Sequence, residues 1–207
     1  MSIVLIDYGA GNLHSVEKAF RHVAESAEII VSADPKDVAA ADRIVLPGVG
    51  AFADCMDGLL AVDGLFDALH EVVIERQRPF FGICVGMQMM LEEGHEHGLY
   101  KGLGWIAGSV QPIRPADTSL KVPHMGWNDL RLKHPHPLLE GVQPGDHAYF
   151  VHSYHAVCTD ETDVVATVDH GGDITAAIAR DNLFGTQFHP EKSQQTGLTI
   201  IRNFLNL

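Results

Sequence analysis

Cys84 lies in the segment Pro79-Phe80-Phe81-Gly82-Ile83-Cys84-Val85-Gly86-Met87-Gln88, where an apolar run stops at a thiol and a helix-capable run follows. That is the sequence pattern of a strand-to-helix elbow. The glycines two residues before and two residues after the cysteine leave room for a sharp turn and close backbone approach. At a helix N-terminus a thiol meets free amides and the positive end of the dipole, both of which favour thiolate. Cys84 is therefore a candidate nucleophile, with a buried, inert cysteine as the competing reading.

A partner stands about a hundred residues on, in Leu183-Phe184-Gly185-Thr186-Gln187-Phe188-His189-Pro190-Glu191. A second short apolar run ends here at His189, and Glu191 lies two positions beyond it. In a nearly extended chain residues two apart point the same way, so the carboxylate can hold the imidazole in one tautomer. A turn with a solvated glutamate is the plainer alternative. Paired with the cysteine elbow, the segment supplies nucleophile, base and orienting acid in the chain order Cys, His, Glu.

These groups need strands that end on one edge. Ser2 to Asp7, Glu28 to Val31, Arg43 to Leu46 and Phe80 to Ile83 are short apolar strands in a first half that alternates strand and helix. Leu13, Val16, Phe20 and Val23 mark one helical face, and Phe66, Leu69, Val73 and Ile74 another after a break at Asp63-Gly64. Residues Ser32 to Lys36 are expected to form a turn. Such alternation predicts a parallel sheet covered on both faces, with ligands beyond the carboxyl ends of its strands. Asp7, Pro47 and Cys84 all fall there.

The second half changes character. Strand runs are expected within Gly102 to Ile113, Met125 to Leu132 and His147 to Val157, followed by a hairpin about His170-Gly171-Gly172. Lys133 to Gly145 is expected to be a surface loop, and Leu198 to Leu207 a closing helix carrying Leu198, Ile201 and Leu205 on one stripe. No linker separates two units, so residues 1–207 are expected to form one α/β domain: a mainly parallel central sheet flanked by helices, flavodoxin-like, with an antiparallel extension.

Composition narrows the function. Fourteen basic residues against 27 acidic ones leave a formal charge of −13, which argues against a nucleic-acid binder. The cysteines Cys55, Cys84 and Cys158 are odd in number and widely spaced, as suits a reducing cytoplasm. No apolar stretch approaches the roughly 20 residues needed to span a bilayer, and the start of the chain lacks a signal-peptide pattern.

Three further features carry weight. Gly9-Ala10-Gly11 resembles the opening of a dinucleotide fingerprint but lacks its third glycine, so a tight strand-to-helix turn is the better reading. The 13 histidines form no metal-ligand spacing, and they are expected on exposed loops, as at His95, His97, His134 and His136. Pro47-Gly48-Val49-Gly50 ends a strand on the same edge as Cys84. Its glycines allow peptide planes to turn their amides inward, as an oxyanion hole requires.

Taken together, Gly82 to Gln88 and His189-Pro190-Glu191 resemble the triad-type class I glutamine amidotransferases. Four further segments sharpen the likeness to the glutaminase subunits of imidazole glycerol phosphate synthases. They are Asp7 to Leu13, Leu46 to Phe52, Val122-Pro123-His124-Met125-Gly126-Trp127-Asn128, and Tyr149-Phe150-Val151-His152-Ser153-Tyr154. The resemblance covers essentially the whole chain. Two departures are mild: Val85 where leucine is common, and Ala10 where methionine is common.

The resemblance implies that Cys84 attacks the glutamine carboxamide, that His189 moves the protons and that Glu191 orients it. It implies an oxyanion hole from Val85 and Val49 or Gly50. Glutamine contacts would come from Gln88, Gly50, Ser153 and Tyr154, with no metal and no cofactor. It also implies a heterodimer with a (βα)8-barrel cyclase subunit, which uses the ammonia to make imidazole glycerol phosphate and an aminoimidazole carboxamide ribotide. Asn12, Trp127 and Tyr149 become interface candidates, and the neighbours of Trp127 suggest a turn there rather than a buried strand. Other readings are a sister subunit feeding an anthranilate or aminodeoxychorismate synthase, a silent scaffold, and a cysteine peptidase.

Overall fold

The computed structural model describes residues 1–24 and 27–207. Its first apolar run forms β1 (Ser2–Ile6), whose Ile3, Val4, Leu5 and Ile6 are fully buried. Such continuous burial marks an interior parallel strand with both faces covered. Helix α1 (Leu13–Val23) follows, burying Val16, Ala19 and Phe20, then β2 (Glu28–Ser32). Helix α2 (Pro35–Ala40) starts where a turn was expected. Asp34 caps it by accepting from the Lys36 amide at 2.9 Å, and Pro35 suits a first helical position.

Strand β3 (Arg43–Gly48) leads to α3 (Phe52–Ala61) and α4 (Leu65–His70), separated at the expected break, where Gly64 takes a left-handed φ of 74°. A π-helical turn, Glu71–Glu75, extends α4. The buried positions there are Leu65, Leu69, Val72 and Val73, with Phe66 and Ile74 only partly covered. The stripe keeps Leu69 and Val73 but takes in Leu65 and Val72 in place of Phe66 and Ile74, a rotation that begins in α4 ahead of the π turn.

Strand β4 (Phe80–Cys84) then enters α5 (Val85–Gln88), a single helical turn. The chain continues through β5 (Leu91–Gly94), β6 (Tyr100–Lys101), β7 (Ile106–Pro112), β8 (His124–Asp129), β9 (Arg131–Leu132), β10 (His147–His152), β11 (Tyr154–Cys158), β12 (Val164–Asp169), β13 (Asp173–Arg180), β14 (Leu183–Thr186) and α6 (Gln194–Asn206).

The main sheet has eight strands in the order β2-β1-β3-β4-β14-β13-β12-β9. It is parallel from β2 to β14 and antiparallel beyond, the expected central sheet with its extension. The chain steps outward from β1 to β2 and back past it to β3, so right-handed crossovers place α1 and α2 on opposite faces. Contacts agree: α1 packs against α6, while α2, α4 and the π turn pack together. Phe204 of α6 anchors one layer, stacking on Phe81 with ring centres 5.1 Å apart.

Beside this sheet lie β11-β7-β5-β6 and the antiparallel ribbon β10–β8. The segment Lys133 to Gly145 is more than a surface loop. It contains a 3-10 turn, Pro137–Leu139, and buries Leu138, Leu139 and Val142, while α6's Asn203 donates to the carbonyl of Leu138 at 2.9 Å. Helix α6 begins ahead of the expected start, and its buried side chains are Ile200, Ile201, Phe204 and Leu205, with Leu198 at the margin. No helix among the described residues is long and apolar enough to cross a membrane.

Candidate active site

Register brings the candidate residues to one edge. Gly48 at the end of β3 pairs with Cys84 at the end of β4, and Thr186 at the end of β14 pairs with Ile83. His189 therefore emerges just beyond the same edge.

The elbow is sharp because Cys84 adopts φ 56° and ψ −112°, a region that a residue with a side chain occupies at a cost of about 1–3 kcal/mol. Close packing holds it there. A Cβ on Gly86 would collide with the Leu46 carbonyl, and one on Gly82 would meet the Gly86 carbonyl oxygen at 2.6 Å. Only glycine lets the elbow settle onto the ends of β3 and β4. Because α5 is one turn long, the elbow's free amides matter here more than a helix dipole does. Val85 stands at the first helical position, where an amide has no intrahelical acceptor.

His189 Nδ1 and Glu191 Oε1 lie 2.8 Å apart, with side chains 4% and 1% exposed. The expected extended geometry is replaced by a 3-10 turn, Pro190–Lys192, which folds Glu191 back to the ring. Burial alone would depress the basicity of His189. Its interactions with Cys84 and Glu191 outweigh that and push its pKa up to about 9. A carboxylate on Nδ1 leaves Nε2 for Cys84, the arrangement of a base with an orienting acid.

Cys84, Val85, Gln88, His189, Val49, Gly50, Ser153 and Tyr154 line one cavity of about 220 Å³, together with Glu96, Val151 and His152. A larger hollow of about 610 Å³ lies along residues 132–142, away from these groups. At the inner wall Gln88 donates to the Tyr154 carbonyl and to Gln187 Oε1, each at 3.0 Å. Both amide hydrogens are thus consumed, and Gln88 Oε1 remains as an acceptor for a ligand. The same bond fixes the Gln187 amide, whose Nε2 faces Cys84 Sγ at 3.7 Å.

Gln187, Glu96 and Ser193 were not singled out from sequence. Gln187 stands two residues before His189, so alternation was an available signal. Glu96 accepts from the Phe52 amide at 2.7 Å across 44 residues, with no local pattern to reveal it. Ser193 accepts from the Tyr149 amide at 3.0 Å and donates to the His189 carbonyl at 2.7 Å.

The segment after β3 is held from behind. Tyr8 donates to the Pro47 carbonyl at 2.9 Å, and the Cys55 thiol donates to the Val49 carbonyl at 3.4 Å. In a trans peptide the Gly50 amide then points away from Cys55. Gly50 has φ 101° with open space where a Cβ would be.

Trp127 lies within strand β8, not in a turn, and is 47% exposed, paired in register with Tyr149 of β10 at a ring distance of 5.9 Å. Met125, one alternation away, is also exposed. Asn12 sits elsewhere on the rim, at the start of α1, and Asp7 is exposed and caps the Gly9 turn. The expectation of loop histidines fails for His124 and His152, which are buried. Among the described residues no group of His, Cys, Asp and Glu could hold a metal ion.

A thiol on a strained elbow that faces a carboxylate-oriented imidazole defines an enzyme class that works through a covalent cysteine intermediate. The family description Glutamine amidotransferase class-I matches residues 4–207, and the chain belongs to that family. It is 57% identical to the imidazole glycerol phosphate synthase subunit HisH of Cereibacter sphaeroides, over 99% of this chain and 98% of the relative. It is 55% identical to the protein of the same name from Rhodospirillum rubrum, with the same coverage. Among solved structures, PurLQS from Thermotoga maritima superposes with a TM-score of 0.70 at 21% identity, over 99% of this chain and 97% of that one. At that identity the likeness is one of fold.

Proposed function

We infer that this chain is the glutaminase subunit of an imidazole glycerol phosphate synthase, releasing ammonia from L-glutamine for histidine biosynthesis. The observation that carries the chemistry is the His189 ring, which lines one small cavity with Cys84 and is backed by the buried Glu191. Relatives bearing the synthase-subunit name along nearly the whole of both chains support the assignment to that synthase. The anthranilate and aminodeoxychorismate readings have no comparable support.

The reaction follows from the groups present. His189 takes the Cys84 proton, and the thiolate attacks the carboxamide carbon. The amide of Val85, with one from Val49 or Gly50, stabilises the resulting oxyanion; a donor of this kind contributes about 3 kcal/mol in the transition state. The imidazolium protonates departing ammonia, leaving a thioester. His189 then deprotonates water, which releases glutamate. The free Gln88 oxygen and the Glu96 carboxylate suit the substrate's ammonium group, and the Ser153–Tyr154 backbone, where β10 and β11 part, takes its carboxylate.

Residues 1–207 act as one amidotransferase domain. The exposed Met125 and Trp127, with Tyr149, form an apolar face next to the site, suited to a (βα)8-barrel cyclase in a heterodimer. Asn12 extends that rim. Unpaired cysteines accord with work in the cytoplasm. The test is glutamate release by the chain alone, with an empty barrel partner and with a liganded one. Strong acceleration only in the last is expected, and Cys84→Ala should abolish glutamine use while sparing ammonia-dependent synthesis. Equal rates in all three would show an autonomous glutaminase.

A further inference from the structure

We propose that His124 and His152 form a neutral hydrogen-bond relay that positions the Tyr154 carbonyl, and through it Gln88, for glutamine binding. The proposal deepens the glutaminase reading and rests on it for the identity of the ligand.

The proton inventory is closed. His152 Nδ1 lies 2.8 Å from the Tyr154 carbonyl, which can only accept, so that nitrogen carries the proton. A neutral imidazole has a single N–H, leaving His152 Nε2 bare, and it faces His124 Nδ1 at 2.9 Å. His124 therefore donates from Nδ1 and is bare at Nε2. There Asn128 Nδ2 approaches at 3.1 Å, with its other hydrogen directed to the Asp169 carbonyl at 2.9 Å. Every bond runs one way, and a second proton on either ring would set donor against donor.

The surroundings enforce this state. His124 and His152 are 4% and 6% exposed. His124 is stacked on Phe150, with ring centres 4.8 Å apart, and the tilted His170 ring lies 4.3 Å from it. Burial disfavours the charged form of both, holding them near about 4 and about 3.

Position gives the relay its purpose. Its inner end is the Tyr154 carbonyl, which also accepts from Gln88, so losing the His152 bond frees the group that places the Gln88 oxygen. Its outer end is on β8. Along that strand side chains alternate, so His124 and Asn128 face inward while Met125 and Trp127 face out. One strand thus carries the docking aromatics on one side and the relay on the other. Displacement of β8 by a partner would be felt at Gln88 through the side chains of Asn128, His124 and His152 and the Tyr154 carbonyl.

Two measurements decide. In a Cys84→Ala background, which binds without turnover, titrate L-glutamine calorimetrically into proteins carrying His124→Phe or His124→Asn. Phenylalanine keeps the stack and loses the donor. Asparagine carries an N–H on the same γ carbon that bears Nδ1, and so retains it. About a tenfold weaker Kd is expected for His124→Phe, the loss of one net hydrogen bond, with most of it restored by His124→Asn. Equal affinities in the two variants would overturn the relay.

Nitrogen-15 spectra of the unsubstituted protein at neutral pH give a readout independent of activity. Both rings should be neutral Nδ1–H tautomers. An Nε2–H tautomer or a charged ring at either position defeats the proposal, even if His124→Phe fails to fold. If the Cys84→Ala background alone does not bind glutamine, the functional reading fails instead, and the spectra still judge the relay.

Discussion

The amide of His189 donates to the carbonyl of Tyr149 at 3.0 Å, so the catalytic candidate and the aromatic proposed for docking share one backbone link. Ser193 closes the loop from the other side, bonding to both residues while 1% exposed. The exposed β8–β10 ribbon and the imidazole are thereby built as one unit.

Ser193→Ala tests that link. It leaves the Tyr149 amide without its buried partner, at a cost of about 1–3 kcal/mol, while the His189 carbonyl keeps the Lys192 amide at 3.0 Å. Chemical unfolding should show that loss, and glutamate release should fall about tenfold while ammonia-dependent synthesis holds. Unaltered glutamate release would separate the ribbon from the base.

Thiol chemistry should be confined to Cys84. Burial, and the nearby Asp163, push the Cys158 thiol up to about 12, and burial also raises Cys55, which donates to Val49. A glutamine-analogue electrophile should modify one site, identified by peptide mass spectrometry. Modification mainly at Cys55 or Cys158 would refute the nucleophile assignment.

The contacts of His189 with Cys84 and Glu191 predict a pH dependence of stability. The pKa of His189 is raised in the folded protein to about 9, above its ordinary 6.5. Its stabilising contribution is therefore fully present below about pH 6.5 and fades as pH rises through about 9. Glu191→Gln removes the carboxylate charge, so the imidazole should titrate lower. The stability gap between the two proteins, read by urea unfolding, should be widest near about pH 6 and shrink by about pH 10. A gap that grows with pH would contradict the pairing.

Gly86→Ala should disable the elbow. The added methyl would strike the Leu46 carbonyl, which belongs to the strand leading into Pro47 and Gly48. Overpacking of this kind costs about 1–3 kcal/mol. Glutaminase activity should fall further than stability, because the shift moves Cys84 and Val85 together. Normal activity in a folded Gly86→Ala protein would show that the close approach is dispensable.

What is encoded within a few residues can be read directly from the chain. The cysteine between Gly82 and Gly86, the histidine with an acid two places on, the strand–helix alternation and the hairpin at His170 to Gly172 are all local matters of turn chemistry and periodicity. Everything that depends on register between distant strands had to wait for the fold. Gln187 reaches Gln88 across 99 residues, and Ser193 reaches Tyr149 across 44. Nothing near these residues in the chain encodes such contacts. The same reason explains the departures from expectation. Trp127 lies in a strand because β10 pairs with it. His124 is buried because that pairing sets His152 opposite it and Phe150, opposite Gly126, diagonally beside it as a ring to stack on. Composition cannot tell a loop histidine from a relay, because the difference is made by the partners that folding supplies.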